Sequence, residues 1–297
     1  MSTEVAYAEV ATPAPVPRGD RLRAALWMTA AQVGFVAMTV LARSAAPGAR
    51  WQELAMFRFF GGLLVAGAIA HLRGVSLRPR DGRLLAARAG FGTLSAIGTF
   101  YTIDSPAISL GDASTLFATS PFFVAALAPF VLGERFRPRV GLALLVAFAG
   151  VGIVAKPTFD SAPDLVAAAT GSAFAAACAM MALRLASHGE APESIAFYFH
   201  LVGFLILGTF ALAGWSSPTV ATMLTLTLAG ACGGVAQLMM TRAYQLDLAA
   251  RVSVLGYSGV LFMRAAGAVV FGEPFGLREV LGTLAVVLAG LILTLRA

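Results

Sequence analysis

Residues 110–136 read LGDASTLFATSPFFVAALAPFVLGERF, and residues 249–275 read AARVSVLGYSGVLFMRAAGAVVFGEPF. Laid over one another at a shift of 139, they pair Ser114 with Ser253, Leu116 with Leu255, Phe123 with Phe262 and Val131 with Val270. The same shift lays Gly133-Glu134-Arg135-Phe136 on Gly272-Glu273-Pro274-Phe275. One residue further on, the register also joins Glu53 to Glu193, Phe57 to Phe197, Phe59 to Phe199, and Ala149-Gly150 to Ala289-Gly290. Matches in one order along both halves of the chain point to an internal repeat, with a linker at residues 156–163.

The two quoted stretches are apolar, and so is the rest. Charged residues make up 12% of the 297, hydrophobic residues 59%, and the mean hydropathy is +0.83. A soluble domain carries about 25% charged residues, so water is not the main solvent here. The apolarity comes in blocks of about 18 to 24 residues, the length that crosses a bilayer. Such blocks lie near 24–43, 51–71, 84–104, 108–131, 138–155, 164–186, 193–213, 220–243, 249–271 and 277–295. Residues 1–20 carry three prolines, Glu4 and Glu9 but no basic start followed by an apolar run, and read as a disordered cytoplasmic tail rather than a cleaved signal peptide.

Ten spans leave both termini on one side. Of the 21 Lys and Arg, Arg43, Arg50, Lys156 and Arg278 fall on the outer segments if the N-terminus is inside, and Arg58 and Arg264 fall within spans. The remaining fifteen, Arg88 among them, fall on inner segments, the bias of positively charged loops toward the cytoplasm. The expected fold is therefore an all-α membrane protein: ten transmembrane helices as two inverted five-helix repeats, 21–155 and 164–297, with N- and C-termini cytoplasmic. Five is odd, so the second repeat enters the membrane upside down, the arrangement of many secondary transporters. The net charge of +6 is spread between spans, not gathered on one water-facing patch, so no nucleic acid partner is expected.

This pattern resembles the EamA branch of the drug/metabolite transporter superfamily over nearly the whole chain: ten spans, a five-plus-five repeat, and Gly133-Glu134-Arg135-Phe136 closing span four. Within it, residues 110–122 and Phe57-Arg58-Phe59 are most similar to the YddG-type amino acid exporters. The resemblance implies export of aromatic and other amino acids through a central cavity formed by both halves. The chain departs from the pattern at Val260, where a proline would mirror Pro121, and at Pro274, opposite Arg135. The helix break of the second half therefore stays open.

A cavity for a zwitterion needs donors for a carboxylate, acceptors for an ammonium and an adaptable apolar wall. Polar groups in mid-span are Gln32, Tyr101, Thr115, Thr119, Ser172, Gln237, Ser253 and Tyr257, with Met180, Met239 and Met240 as the soft wall. Against this stands the bland reading that Ser and Thr in membrane helices bond their own preceding carbonyls and Tyr sits at the interface. Arg58 is expected to form an ion pair with Asp104 or Asp112, the alternative being attraction of a substrate carboxylate. Glu134 and Glu273 end spans four and nine and are expected to hold those turns, a gating role being the alternative. Pro121 and Pro129 are expected to hinge span four. Gly230 and Gly234 form a GxxxG for packing.

No carboxylate is central to a span, so export is expected to be uncoupled. No metal, cofactor or enzyme motif is present: Cys178 and Cys232 lack metal-ligand spacing, and Gly256-Tyr257-Ser258-Gly259 is one residue off a nucleophile elbow. A phosphorylated-metabolite or nucleotide-sugar carrier would need more inward basic residues, and a cationic-drug pump an embedded Glu. The partners expected are amino acids and the lipid of a bacterial inner (plasma) membrane, with a monomer as the working unit.

Overall fold

The computed structural model describes residues 16–295 apart from 106, 109, 156, 159 and 273–275. Glu273, Pro274 and most of the N-terminal tail thus lie outside the described residues. The described residues fold into α-helices without a strand: α1 (Arg18–Ala45), α2 (Trp51–Leu72), α3 (Gly82–Asp104), α4 (Leu110–Phe117), α5 (Ser120–Val131), α6 (Pro138–Ala155), α7 (Pro163–Ala186), α8 (Pro192–Ala213), α9 (Val220–Leu246), α10 (Ala249–Leu255), α11 (Ser258–Phe271) and α12 (Leu277–Leu295). Twelve helices replace the ten blocks because blocks four and nine are each broken in two. Eight segments are long and apolar enough to cross a membrane, counting each broken pair as one; α3 and α12 are outside that set. The chain is a multi-span membrane protein.

Local chemistry sets the ends. Asp81 caps α3 by accepting the backbone N–H groups of Arg83 and Leu84, and Thr219 caps α9. Pro138, Pro163 and Pro192 open α6, α7 and α8, where a missing N–H costs nothing. Gly133 and Gly272, aligned by the 139-residue register, take φ of +64° and +65°. Only glycine adopts that conformation freely, which is why the Gly-Glu motif follows both α5 and α11.

α1 packs along α9, α3 along α7, α2 against both α8 and α9, and α6 along α12. Two of these seams are nearly backbone on backbone. A Cβ on Gly230 would lie 2.7 Å from the Arg58 carbonyl oxygen, and one on Gly234 would lie 2.7 Å from the Gly62 Cα. The GxxxG is therefore the α9 side of the α2 seam. Gly150 and Gly282 approach each other in the same way between α6 and α12. Gly230→Val is expected to cost about 1–3 kcal/mol by overpacking this seam, read as a lower unfolding temperature of the detergent-solubilised protein. In the α2–α8 seam, Phe59 and Phe199 meet edge to face with ring centroids 5.0 Å apart.

Side-chain contacts tie the loops into two ends. At one, Glu190 accepts the N–H groups of Arg80 and Asp81, and Glu193 faces Arg73 at 2.8 Å and Arg242 at 3.9 Å. This is the arginine-rich end. At the other, Glu53 accepts from Ser216, and Asp112 accepts from Thr158 and Ser161.

Candidate functional site

The two broken helices meet at their breaks. In the first, the Thr119 hydroxyl donates to the Leu116 carbonyl at 2.6 Å, and Pro121 follows as the second residue of α5. In the second, the Ser258 hydroxyl donates to the Leu255 carbonyl at 2.7 Å. These are the same bond 139 residues apart. The second half breaks at Gly256-Tyr257 without the proline that Val260 replaces, because the hydroxyl turn suffices. The Tyr257 hydroxyl then donates to the Ala118 carbonyl, its own mate in the register, and joins the breaks directly. Pro129 does not act as a break: α5 runs on across it.

Gln32 of α1 lies against the second break, where a Cβ on Gly259 would overlap its Oε1 and one on Gly256 would come within 3.0 Å of Met28 Cε. Gln32 thus sits at the second break, while the Thr119 and Tyr257 hydroxyls hold the breaks through backbone carbonyls. Thr115 and Ser253 sit a turn away on α4 and α10, where the Ser253 hydroxyl is spent on the Ala250 carbonyl. Tyr257→Phe is expected to lower stability by about 1 kcal/mol, the worth of one buried hydrogen bond, measured by thermal unfolding.

Other expected members go elsewhere. Ser172 bonds Thr99 and the Ser95 carbonyl inside the α3–α7 seam, so its hydroxyl serves packing. Tyr101 is 51% exposed and stands outside the packed interior. Gln237 is buried on α9 with its Nε2 unpartnered. Met180 and Met240 join the apolar cluster described next.

That cluster seals the arginine-rich end. It gathers Ala24 and Met28 of α1, Leu85 of α3, Val124 of α5, Met181 of α7, Ile195 of α8, Met240 of α9 and Val252 of α10. At the opposite end the apolar groups are smaller: Ala45, Met56 and Leu226 form one around α1 and α2, and Ile108, Ala113 and Leu165 another where α4 packs on α7. The repeat sharpens the contrast. Ser253 on α10 is buried while its mate Ser114 on α4 is exposed, and α5 buries Val124, Ala125 and Ala128 where α11 buries Gly267 alone.

Glu134 locks the sealed end, but not by holding its own turn. Its carboxylate accepts the Ala249 N–H at 3.0 Å at the start of α10 and lies 3.8 Å from Arg184 of α7. Burial, the largest influence, lifts its carboxyl above the usual carboxylate range against these favourable contacts. Burial lifts Asp247 likewise, against its pairing with Arg251.

A second polar group was not expected. Arg88 had been counted with an inner loop; it is 2% exposed within α3, its Nε and Nη1 have no hydrogen-bond partner, and its guanidinium lies 4.1 Å over the Phe199 ring. Gly92 leaves the room for it. Arg58 does not pair with Asp112, whose oxygens are taken by Thr158 and Ser161; it stands 5.5 Å from the Phe59 ring. Phe59, Phe199 and the buried His200 form one aromatic group between the two cations. No acid pairs with Arg58 or Arg88 among the described residues. Arg264, by contrast, is paired with Glu279 at 3.6 Å. No cluster of metal-ligating side chains occurs among the described residues.

The profile of the EamA-like transporter family matches this sequence twice, over residues 22–156 and 165–296. The chain belongs to the EamA-like transporter family. The pseudopaline exporter CntI of Pseudomonas aeruginosa is 30% identical over 263 residues, covering 88% of this chain and 92% of that protein. A riboflavin transporter of Rhizobium johnstonii is 29% identical, covering 74% of each. A crystal structure with 19% sequence identity superposes with a TM-score of 0.80 over 92% of this chain and 96% of the other, which establishes the fold alone. This EamA-like protein is a transporter of small molecules across a membrane, not an enzyme. The sequence signal for its second break was there to be found: a hydroxyl three residues after Leu255, as Thr119 follows Leu116.

Proposed function

We propose that this EamA-like transporter exports amino acids, aromatic and other, by alternating access between two inverted five-span halves, 21–155 and 164–297, joined by the 156–163 linker. Ten spans with both termini in the cytoplasm of a bacterial inner membrane accommodate the arginine bias, and the protein works as a monomer. The observation that carries the reading is the pair of broken helices, related by the 139-residue register and joined at their breaks, with α5 more deeply buried than α11. Two register-related half-helix pairs in different environments are what a carrier open to one side requires. The twofold family match and the contact between register mates Phe59 and Phe199 support the same arrangement.

In this reading Gln32, beside Met28, offers a polar side chain at the breaks, and the Thr119 and Tyr257 hydroxyls hold the breaks themselves. Arg58 and Arg88 add a positive field in a low-dielectric interior, which favours a solute bearing a carboxylate. Transport is facilitative, since the buried Glu53, Glu134 and Glu193 all stand near span ends rather than at a midplane. A second reading is export of another small metabolite or a drug, and the names of a pseudopaline exporter and a riboflavin transporter favour the metabolite.

Counterflow of radiolabelled phenylalanine into proteoliposomes preloaded with each unlabelled amino acid separates the two. Saturable accumulation driven by several amino acids is expected. Accumulation no greater than in empty liposomes, with folded protein, would overturn the amino acid assignment in favour of the second reading.

A further inference from the structure

Two cavities meet at the arginine-rich end. One, of about 750 Å³, opens among the loops 73–81 and 187–191 and presents Arg73, Arg78, Arg80, His188 and Arg242. The other, of about 200 Å³, runs beside α1, α2 and α9 and is walled by Trp27, Ile69, Leu238 and Met239. Arg73, Pro192, Glu193 and Arg242 line both, so the cavities form one continuous groove with an apolar arm and a basic head.

The acids in the head are already engaged. Glu190 is spent on two backbone N–H groups, and Glu193 is shared between two guanidinium groups. Two arginines on one carboxylate leave positive charge over, and Arg78 and Arg80 add to it. A soluble anion would use the head and gain nothing from Trp27 or Met239. A neutral lipid would use the arm and gain little from the arginines. An amphiphile with a phosphate at the polar boundary uses both.

We infer that this groove binds an anionic phospholipid, with an acyl chain along Trp27, Ile69, Leu238 and Met239 and its phosphate against Arg73 and Arg242. The lipid bridges α1, α2, α8 and α9. It also competes with Glu193 for the two arginines, so occupancy loosens the tie between α8 and the α2–α3 loop.

The test is native mass spectrometry of the full-length, detergent-purified protein titrated with phosphatidylglycerol and, separately, phosphatidylcholine. Retention of phosphatidylglycerol about tenfold stronger than that of phosphatidylcholine is expected. Trp27→Ala and Arg242→Gln should each weaken it about fivefold or more. Arg78→Gln, whose guanidinium holds no other residue in place, gives a variant that folds as the parent does and should still weaken retention. Equal retention of the two lipids, or parent-like retention in all three variants, would overturn the inference. Displacement by glycerol phosphate at matched concentration would do so as well, assigning the head to free phosphate esters.

Discussion

Arg88→Met is expected to make the protein more stable and a poorer carrier at once. The guanidinium is buried in α3 with two nitrogens unpartnered, and its one close contact is the face of Phe199. A charge in that position costs about 2–3 kcal/mol relative to an apolar residue of similar length, so its removal should raise the unfolding temperature by several degrees. Retaining such a group against that cost points to use rather than architecture. If its field draws the substrate carboxylate, phenylalanine counterflow should fall about tenfold, equivalent to 1.4 kcal/mol. Phenylalanine amide, which lacks the carboxylate, should lose less than twofold, and Arg88→Lys should restore part of the difference. Parent-like phenylalanine transport by Arg88→Met would remove Arg88 from the proposed site.

Glu134→Ala is expected to open the sealed end and Glu134→Gln to leave it shut. Alanine removes the acceptor for the Ala249 N–H and the carboxylate facing Arg184. Loss of a charged, buried hydrogen bond costs about 2 kcal/mol, a shift of about thirtyfold toward the open arrangement. Glutamine keeps an acceptor oxygen and discards the buried charge, so the end stays shut. The pH dependence follows from the same burial. The carboxyl of Glu134 binds its proton more tightly when buried than when water reaches it, and Asp247 shifts in the same direction. Its contribution to the shut state is therefore complete below the ordinary carboxylate range and is lost as pH rises through the elevated value. The readout is labelling of a cysteine placed at the buried Val252, with Cys178 and Cys232 replaced by alanine, using a membrane-impermeant maleimide from that side. Faster labelling of Glu134→Ala than of the parent and of Glu134→Gln is the expected result, with labelling of the parent slowed at acidic pH by more than that of Glu134→Gln, whose thiol loses reactivity equally. Equal rates would show that Glu134 does not hold this end.

The repeat was legible because it rests on order: Ser114, Leu116 and Phe123 recur as Ser253, Leu255 and Phe262 whatever their environment. The helix edges were legible, 51–71 for α2 and 138–155 for α6 among them, because apolar length and flanking arginines are one-dimensional facts. The faces were not. In helices that are apolar all round, little distinguishes a seam hydroxyl such as Ser172 from one at a helix break such as Thr119, and only packing partners separate them. Arg88 was misplaced for a related reason: it lies inside the 84–104 block, and a charge four residues from a block edge reads as part of the flanking loop until its burial is known. The second break was hidden by reliance on proline, when a shared hydroxyl bond made both turns.

Phe59 and Phe199 touch their own counterparts, whereas Glu134 is held by Ala249 and Arg184, neither of which is its counterpart in the register. If the halves exchange roles during transport, the first kind of position looks the same before and after the exchange. Changing it cannot tilt the balance between the two end states; it can only raise or lower the pass between them. Substitutions at that aromatic pair should thus alter how fast the carrier turns over and leave its resting preference alone, while a change at Glu134 sets the preference.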